Sequence, residues 1–275
     1  AGDDDDDAGS MATGHPLVDI GTGRFITTDD AAGDGAVNRT GTRTDGYGAA
    51  VQASTTTPLG DRENVLVFGT AADLATVDFT FNSEVGTLTD ERSVSGSGLL
   101  VGVFGQAPDD LFNTAIDTKN RAFGLYFTDT LSLSDRVHLT VSGRYNDARI
   151  AIEDRLGTSL NGIHTFSRFN PAVGLVVATA DAVSVFVRYA ESNRAPTAAE
   201  LSCADPDEPC RVPNAFISDP PLEQAVARSV EGGARGRMTR AHGARVDWSA
   251  TVYGTRIADD ILFVAAPELR GTGFF

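Results

Sequence analysis

The stretch Val137-His138-Leu139-Thr140-Val141-Ser142-Gly143-Arg144-Tyr145-Asn146 is apolar or small at every odd position and polar at every even one. Successive side chains of a strand point to opposite faces of its sheet, so this period of two predicts a strand with one apolar and one polar face. Its length is about that with which a tilted strand crosses a bilayer. The segment before it keeps the parity, with Phe123, Leu125, Phe127, Leu131 and Leu133 on one face and Ala122, Gly124, Thr128, Thr130 and Ser132 on the other. Asp129 and Tyr126 interrupt that pattern.

The alternation continues in both directions. It is read in Tyr47, Ala49, Val51 and Ala53, and in Val65, Val67, Ala75, Val77, Phe79 and Phe81. Further on come Phe169, Val173, Leu175 and Val177, and then Val183, Val185, Val187 and Tyr189. Val230, Gly232, Ala234 and Gly236 follow, and Trp248, Ala250, Val252 and Gly254 stand against Asp247, Ser249, Thr251 and Thr255. The rule yields about eight strands. Short links fall around Pro58-Leu59-Gly60-Asp61, Ser134-Asp135, Ala180-Asp181 and 238–243, whereas long polar stretches occupy 83–120, 150–165 and 192–228. Short turns alternating with long loops are the habit of outer-membrane barrels, with the long loops extracellular, and a soluble sandwich or propeller has no reason for it.

Composition supports an all-β reading and narrows function. The chain has 29 Gly and 15 Phe but only 2 Met and 1 Trp, unlike an average helical enzyme. With 22 basic and 38 acidic residues the net charge is −16, a field that repels phosphate backbones and anionic lipid headgroups, so nucleic acid is not an expected partner. The longest apolar run, Leu99 to Phe104, is far shorter than the ~20 residues of a membrane helix. The start, Ala1 to Asp7, has neither the basic nor the apolar region of a signal peptide.

The stretch Arg188-Tyr189-Ala190-Glu191-Ser192-Asn193-Arg194-Ala195-Pro196-Thr197-Ala198-Ala199-Glu200-Leu201 resembles the middle-barrel signature of TonB-dependent outer-membrane receptors. There an aromatic-ended strand runs into an R-x-P-[ST]-x-x-E-L element, matched here by Arg194, Pro196, Thr197, Glu200 and Leu201. Val37-Asn38-Arg39-Thr40, Gly46-Tyr47-Gly48, Pro58-Leu59-Gly60 and Asn120 to Tyr126 are also similar to strands and turns of this family.

The resemblance implies a transmembrane antiparallel β-barrel of about 22 strands around an N-terminal plug. It also implies energy delivered by an inner-membrane protein, and uptake of a large, scarce nutrient such as a siderophore, cobalamin or a glycan across the bacterial outer membrane. Neither plug nor energy-coupling box is found in the sequence, and about eight strands are roughly a third of such a barrel. The expectation is therefore an incomplete portion of a larger plugged barrel. Residues 1–45 are read as an extracellular loop region and strand entry, 46–258 as barrel strands and loops, and 259–275 as the start of a further loop or strand. The alternative is a complete eight-stranded barrel with a structural or adhesive role, since eight strands can close around their own side chains.

The remaining signals give no chemistry. Arg194 and Glu200 are read either as a charged pair gripping ligand or, more simply, as charges holding the corner that Pro196 fixes. Cys203 and Cys210 lie in a Pro- and acid-rich loop without C-x-x-C spacing and are expected to form a structural disulfide. Asp3 to Asp7 lacks the glycine and closing glutamate of a calcium loop. His15, His138, His164 and His242 are isolated, and no nucleophile elbow or dinucleotide motif occurs. No enzyme activity, cofactor or metal is expected. Arg144, Asn146, Arg168 and Asn170 are expected to line the lumen, and recognition is expected in 83–120 and 192–228.

Overall fold

The computed structural model describes residues 16–27, 30, 35–104, 112–158, 160–202, 222–239, 245–265 and 273–274. Strands β1 (Leu17–Asp19), β2 (Gly35–Thr56), β3 (Asn64–Leu88), β4 (Val94–Val103), β5 (Asn113–Ser134) and β6 (Val137–Asp154) are followed by β7 (Gly162–Ala180) and β8 (Val183–Arg194). A single-turn helix, α1 (Ala198–Leu201), precedes β9 (Ala225–Thr239), β10 (Arg245–Ala258), β11 (Val264–Ala265) and β12 (Gly273–Phe274). The eight long strands form one antiparallel sheet in the order β2-β3-β5-β6-β7-β8-β9-β10, with β11 and β12 paired separately.

Register fixes what each face carries. Leu139 stands opposite Leu131 and Leu175, Leu175 opposite Val187, Val187 opposite Gly232, and Gly232 opposite Val252. The alternating residues of β2, β5, β6, β7, β8, β9 and β10 thus merge into one continuous apolar face. Many of its side chains are exposed, Tyr47 at 78%, Val51 at 70% and Val252 at 80% among them, while Leu131, Leu139 and Leu175 are half-buried. A patch this broad far exceeds what a soluble monomer leaves to water. Glycines fit the aromatic rings: a Cβ at Gly143 would lie 2.5 Å from the Phe169 ring, and one at Gly236 2.7 Å from the Trp248 indole.

Strand β3 departs from the alternation read in the sequence. Val67 is opposite Thr128, which accepts a hydrogen bond from Ser142 Oγ (3.0 Å), so Val65, Val67, Ala75, Val77, Phe79 and Phe81 belong to the polar-network face. Leu66, Phe68 and Leu74 supply the apolar face instead. β3 is apolar at both parities in places, and there register rather than composition decides which set faces where.

The ladders also run further than the alternation. β2 begins at Gly35, β3 reaches Leu88, and β4 and the start of β5 occupy part of the long stretch 83–120. The short connection after β2 turns at Gly60, whose φ of +66° is a conformation that glycine adopts without strain. Among the described residues, β2 pairs with β3 alone and β10 with β9 alone, and no ladder joins β2 to β10. Among the described residues the eight long strands are thus not closed on themselves, and both edges of the sheet are open.

Two small cores sit at the long-loop end. One gathers Leu17, Ile26, Val85, Val101, Val103 and Phe112, joining β1 and β4 to the top of β3. The other places Leu201 of α1 with Ile116, Ile150, Ile152 and Leu160.

Candidate functional site

The polar face of β5 to β8 carries a connected set of side chains. Arg144 lies with its guanidinium carbon 5.6 Å from the centre of the Tyr126 ring and donates from Nε to Asn146 Oδ1 at 2.6 Å. A Cβ at Gly124 would meet Arg144 at 2.7 Å, so this glycine leaves the space in which the arginine rests. Tyr126 Oη in turn donates to Gln52 Oε1 at 2.9 Å. Asn146 and Asn170 both donate to Asn193 Oδ1, at 2.9 and 2.7 Å, and Asn193 donates to Gln224 Oε1 at 2.9 Å.

The ladder between β7 and β8 ends at Ala172 opposite Ala190, and beyond it side chains take over the joining of the two strands. Arg168 pairs with Glu191 at 2.7 Å, and Arg228 approaches the same carboxylate at 3.5 Å. Arg144, Asn146, Arg168 and Asn170 are thus brought together on one face. Glu191, Asn193 and Gln224, which join them, were not singled out in the sequence. Glu191 and Asn193 lie within the quoted family motif, but no spacing marks them as partners of β6 and β7.

The Arg194 to Leu201 element caps the long-loop end of this face. Thr197 accepts from the Glu200 amide (3.2 Å) while Glu200 Oε2 accepts from the Thr197 amide (2.7 Å), a reciprocal capping box. Arg194 donates to the same carboxylate oxygen at 2.7 Å. Burial pushes the Glu200 carboxyl up, but Arg194 and Thr197 outweigh it and hold the group below the ordinary glutamate range. Pro196 is buried, and Leu201, 3% exposed, anchors the turn in its core. Cys203, Cys210 and most of 192–228 lie outside the described residues.

Beside the site, β1 is tied to β4 through a buried carboxylate. Asp19 accepts from Thr22 Oγ1 (2.5 Å), the Thr22 amide (3.1 Å) and the Leu100 amide (3.0 Å). The Thr22 hydroxyl and these amides outweigh desolvation and lower its pKa. Glu84, buried on β3 opposite Leu100, is paired with Arg39 and accepts from the Gly98 amide. A lowered carboxyl pKa stabilises the fold above its unfolded value, ~4, and that stabilisation is lost as pH falls through the folded value. Amide exchange at Leu100 and Thr22, corrected for intrinsic rates, is therefore expected to quicken in acid. Asp19→Asn should show the quickened exchange already at neutral pH; unchanged protection in that variant would contradict the role given to the carboxylate.

No group of His, Cys, Asp or Glu that could hold a metal ion occurs among the described residues.

Comparison with known proteins agrees with this architecture. No curated protein matches the chain. Among solved structures, it resembles Pseudomonas aeruginosa FpvA bound to heterologous pyoverdines, with TM-score 0.56 and 19% identity over 80% of this chain and 26% of that one. It resembles the ferric yersiniabactin uptake receptor FyuA of Yersinia pestis with TM-score 0.51 and 12% identity, over 81% of this chain and 30% of that one. The copper transporter OprC gives TM-score 0.52 and 14% identity over 86% and 32%. At these identities the likeness is one of fold, and the chain spans less than a third of each of these relatives. The family model described as TonB dependent receptor-like, beta-barrel matches residues 6–274, nearly the whole length, and so the chain belongs to the TonB-dependent receptor β-barrel family.

Proposed function

We propose that this chain forms part of the wall of an outer-membrane receptor that takes up a large, scarce nutrient of siderophore, cobalamin or glycan type. In this reading the apolar face meets lipid and the face bearing Arg144, Asn146, Arg168 and Asn170 lines the lumen. The open edges of β2 and β10 continue into further strands of the same barrel. The task is binding and passage rather than catalysis. The plug and an energy-transducing inner-membrane protein are its partners, and ligand is recognised at the long-loop end.

The observation that carries the reading is the division of the sheet into two unlike faces. A continuous exposed apolar band needs lipid to cover it, and strands cross lipid only when their backbone groups are satisfied by neighbours. The opposite face is polar and not self-sufficient: Asn170 Oδ1 and Arg168 Nε are buried without a hydrogen-bond partner among the described residues. Such atoms cost free energy unless another polar surface or water meets them, which suits a wall packed against a plug.

Trp248, the only tryptophan of the chain, tests the orientation. It sits opposite Gly236 on the apolar face near the short-turn end, where indoles favour the membrane interface. In vesicles of brominated phosphatidylcholine, the fluorescence that Trp248→Phe removes is expected to be strongly quenched, more by shallow than by deep bromines. Quenching by aqueous iodide with none by lipid bromine would reject the reading.

A further inference from the structure

Just beyond the apolar band, on the long-loop side, register brings Tyr47, Leu74, Arg121, Arg149 and Thr165 into one rung across five strands. Arg121 and Arg149 are directly opposed on the apolar-face side, where facing Cα atoms are ~4.5–5.5 Å apart. Both are exposed, and neither side chain has a hydrogen bond or ion pair among the described residues. Like charges facing each other across a ladder are destabilising.

Acids are plentiful in a chain of net charge −16, and other arginines find them, as Arg24 does with Asp30 and Arg237 with Asp247. Asp147 lies one rung nearer the band, opposite Phe123, yet reaches neither arginine within ion-pair distance. Lys119 stands one rung further out, with its amine 3.9 Å from the exposed Glu153. A recess of ≈ 190 Å³ beside Arg121 is lined by Tyr47, Leu74, Thr76, Lys119 and Asp45.

We propose that Arg121 and Arg149 together clasp the phosphate of a membrane-lipid headgroup, with Lys119 beside it and the recess at Tyr47 and Leu74 seating the less polar part of the headgroup. Guanidinium groups bind phosphate through paired N–H donors, and an anion between two opposed arginines removes their repulsion. The site rests on the membrane orientation proposed above. That orientation places this rung at headgroup depth, with Phe123 and Tyr145 of the band below it.

The test uses the full-length protein in neutral detergent micelles, with lipid binding followed by native mass spectrometry. The probes are bisphosphorylated lipid A, its dephosphorylated form and phosphatidylcholine. Lipid A is expected to bind at least about tenfold more tightly than either control, and the Arg121→Gln/Arg149→Gln pair to lose about tenfold or more. Arg136→Gln, in the short turn after β5, should bind as the unaltered protein does. Arg121→Lys/Arg149→Lys keeps the charge without the paired donors and should lose part of the affinity, which keeps the test decisive if the glutamine pair fails to fold.

Unchanged lipid A affinity in both paired variants would overturn the site. So would equal binding of the dephosphorylated lipid, or displacement of lipid A by inorganic phosphate at equal concentration. Normal lipid quenching of Trp248 alongside any of these results would leave the membrane orientation standing while the headgroup site falls. Absent quenching in the unaltered protein would remove both.

Discussion

Arginine in place of Val173 is expected to cost about 2–4 kcal/mol of stability in a bilayer, and arginine in place of Ser142 much less. Val173 is 44% exposed in the middle of the β7 apolar run, flanked on the ladder by Val141 and Tyr189. In the proposed orientation a guanidinium there has lipid around it, and no acid stands directly opposite it on either neighbouring strand. Ser142 points to the polar face, where its hydroxyl bonds Thr128 and a longer polar chain can reach water or the network.

Val141, one strand away, is a poorer site for the comparison because Asp129 stands directly opposite it. An arginine at 141 would acquire a cross-strand partner that offsets part of its cost. Reversible unfolding of the full-length protein in lipid vesicles measures both losses. Equal losses at 173 and 142 would reject the assignment of faces on which the proposed function stands.

Asp129 also shows where sequence reading stops. The period of two was legible in β6, β7, β8, β9 and β10 because each of these strands keeps one face against a single kind of environment through the apolar band. Leu139, Leu175 and Val187 could be aligned before any register was known, since shifting one strand by a residue would move its whole apolar set to the wrong face.

In β3 the argument had too little to hold. Val65-Leu66-Val67-Phe68 is apolar throughout, and only the pairing with Thr128 and Thr130 shows that the odd residues belong to the polar face. In the proposed orientation the apolar face no longer meets the hydrocarbon beyond the band, and there the alternation loses its cause. The upper parts of β2, β3 and β5 accordingly read as polar loop although they are laddered strand. The two small cores escaped for a related reason: Leu17, Ile26 and Phe112 come from separated segments, and no local pattern announces that they will meet. In the site, the charged and amide residues of β6 and β7 were found by parity alone. Their partners Glu191, Asn193 and Gln224 depend on the end of the β7–β8 ladder, which is a tertiary event.

The Arg194 to Leu201 element joins the readable part of the fold to the unreadable part, and the second large effect is expected there. A helix of one turn has no stability of its own, because nucleation fixes several residues for the first hydrogen bond. Here the capping box supplies acceptors for the orphan amides and Leu201 supplies the burial. Leu201→Ala removes an almost fully buried side chain from contact with Ile116, Ile150, Ile152 and Leu160, a change expected to cost about 2–4 kcal/mol. Because the contact is local, the loss should appear as local opening of α1 rather than as unfolding of the sheet. The amides of Leu201 and Ser202, which donate to Thr197 and Ala198 carbonyls, should then exchange about 30- to 1000-fold faster, while amides in β6 and β7 keep their protection. Glu200→Gln retains the shape of the capping box but weakens the exposed Arg194 contact, and should have the smaller effect. If Glu200→Gln opened the turn as much as Leu201→Ala, the charges rather than the buried leucine would be what fastens α1 over the polar face.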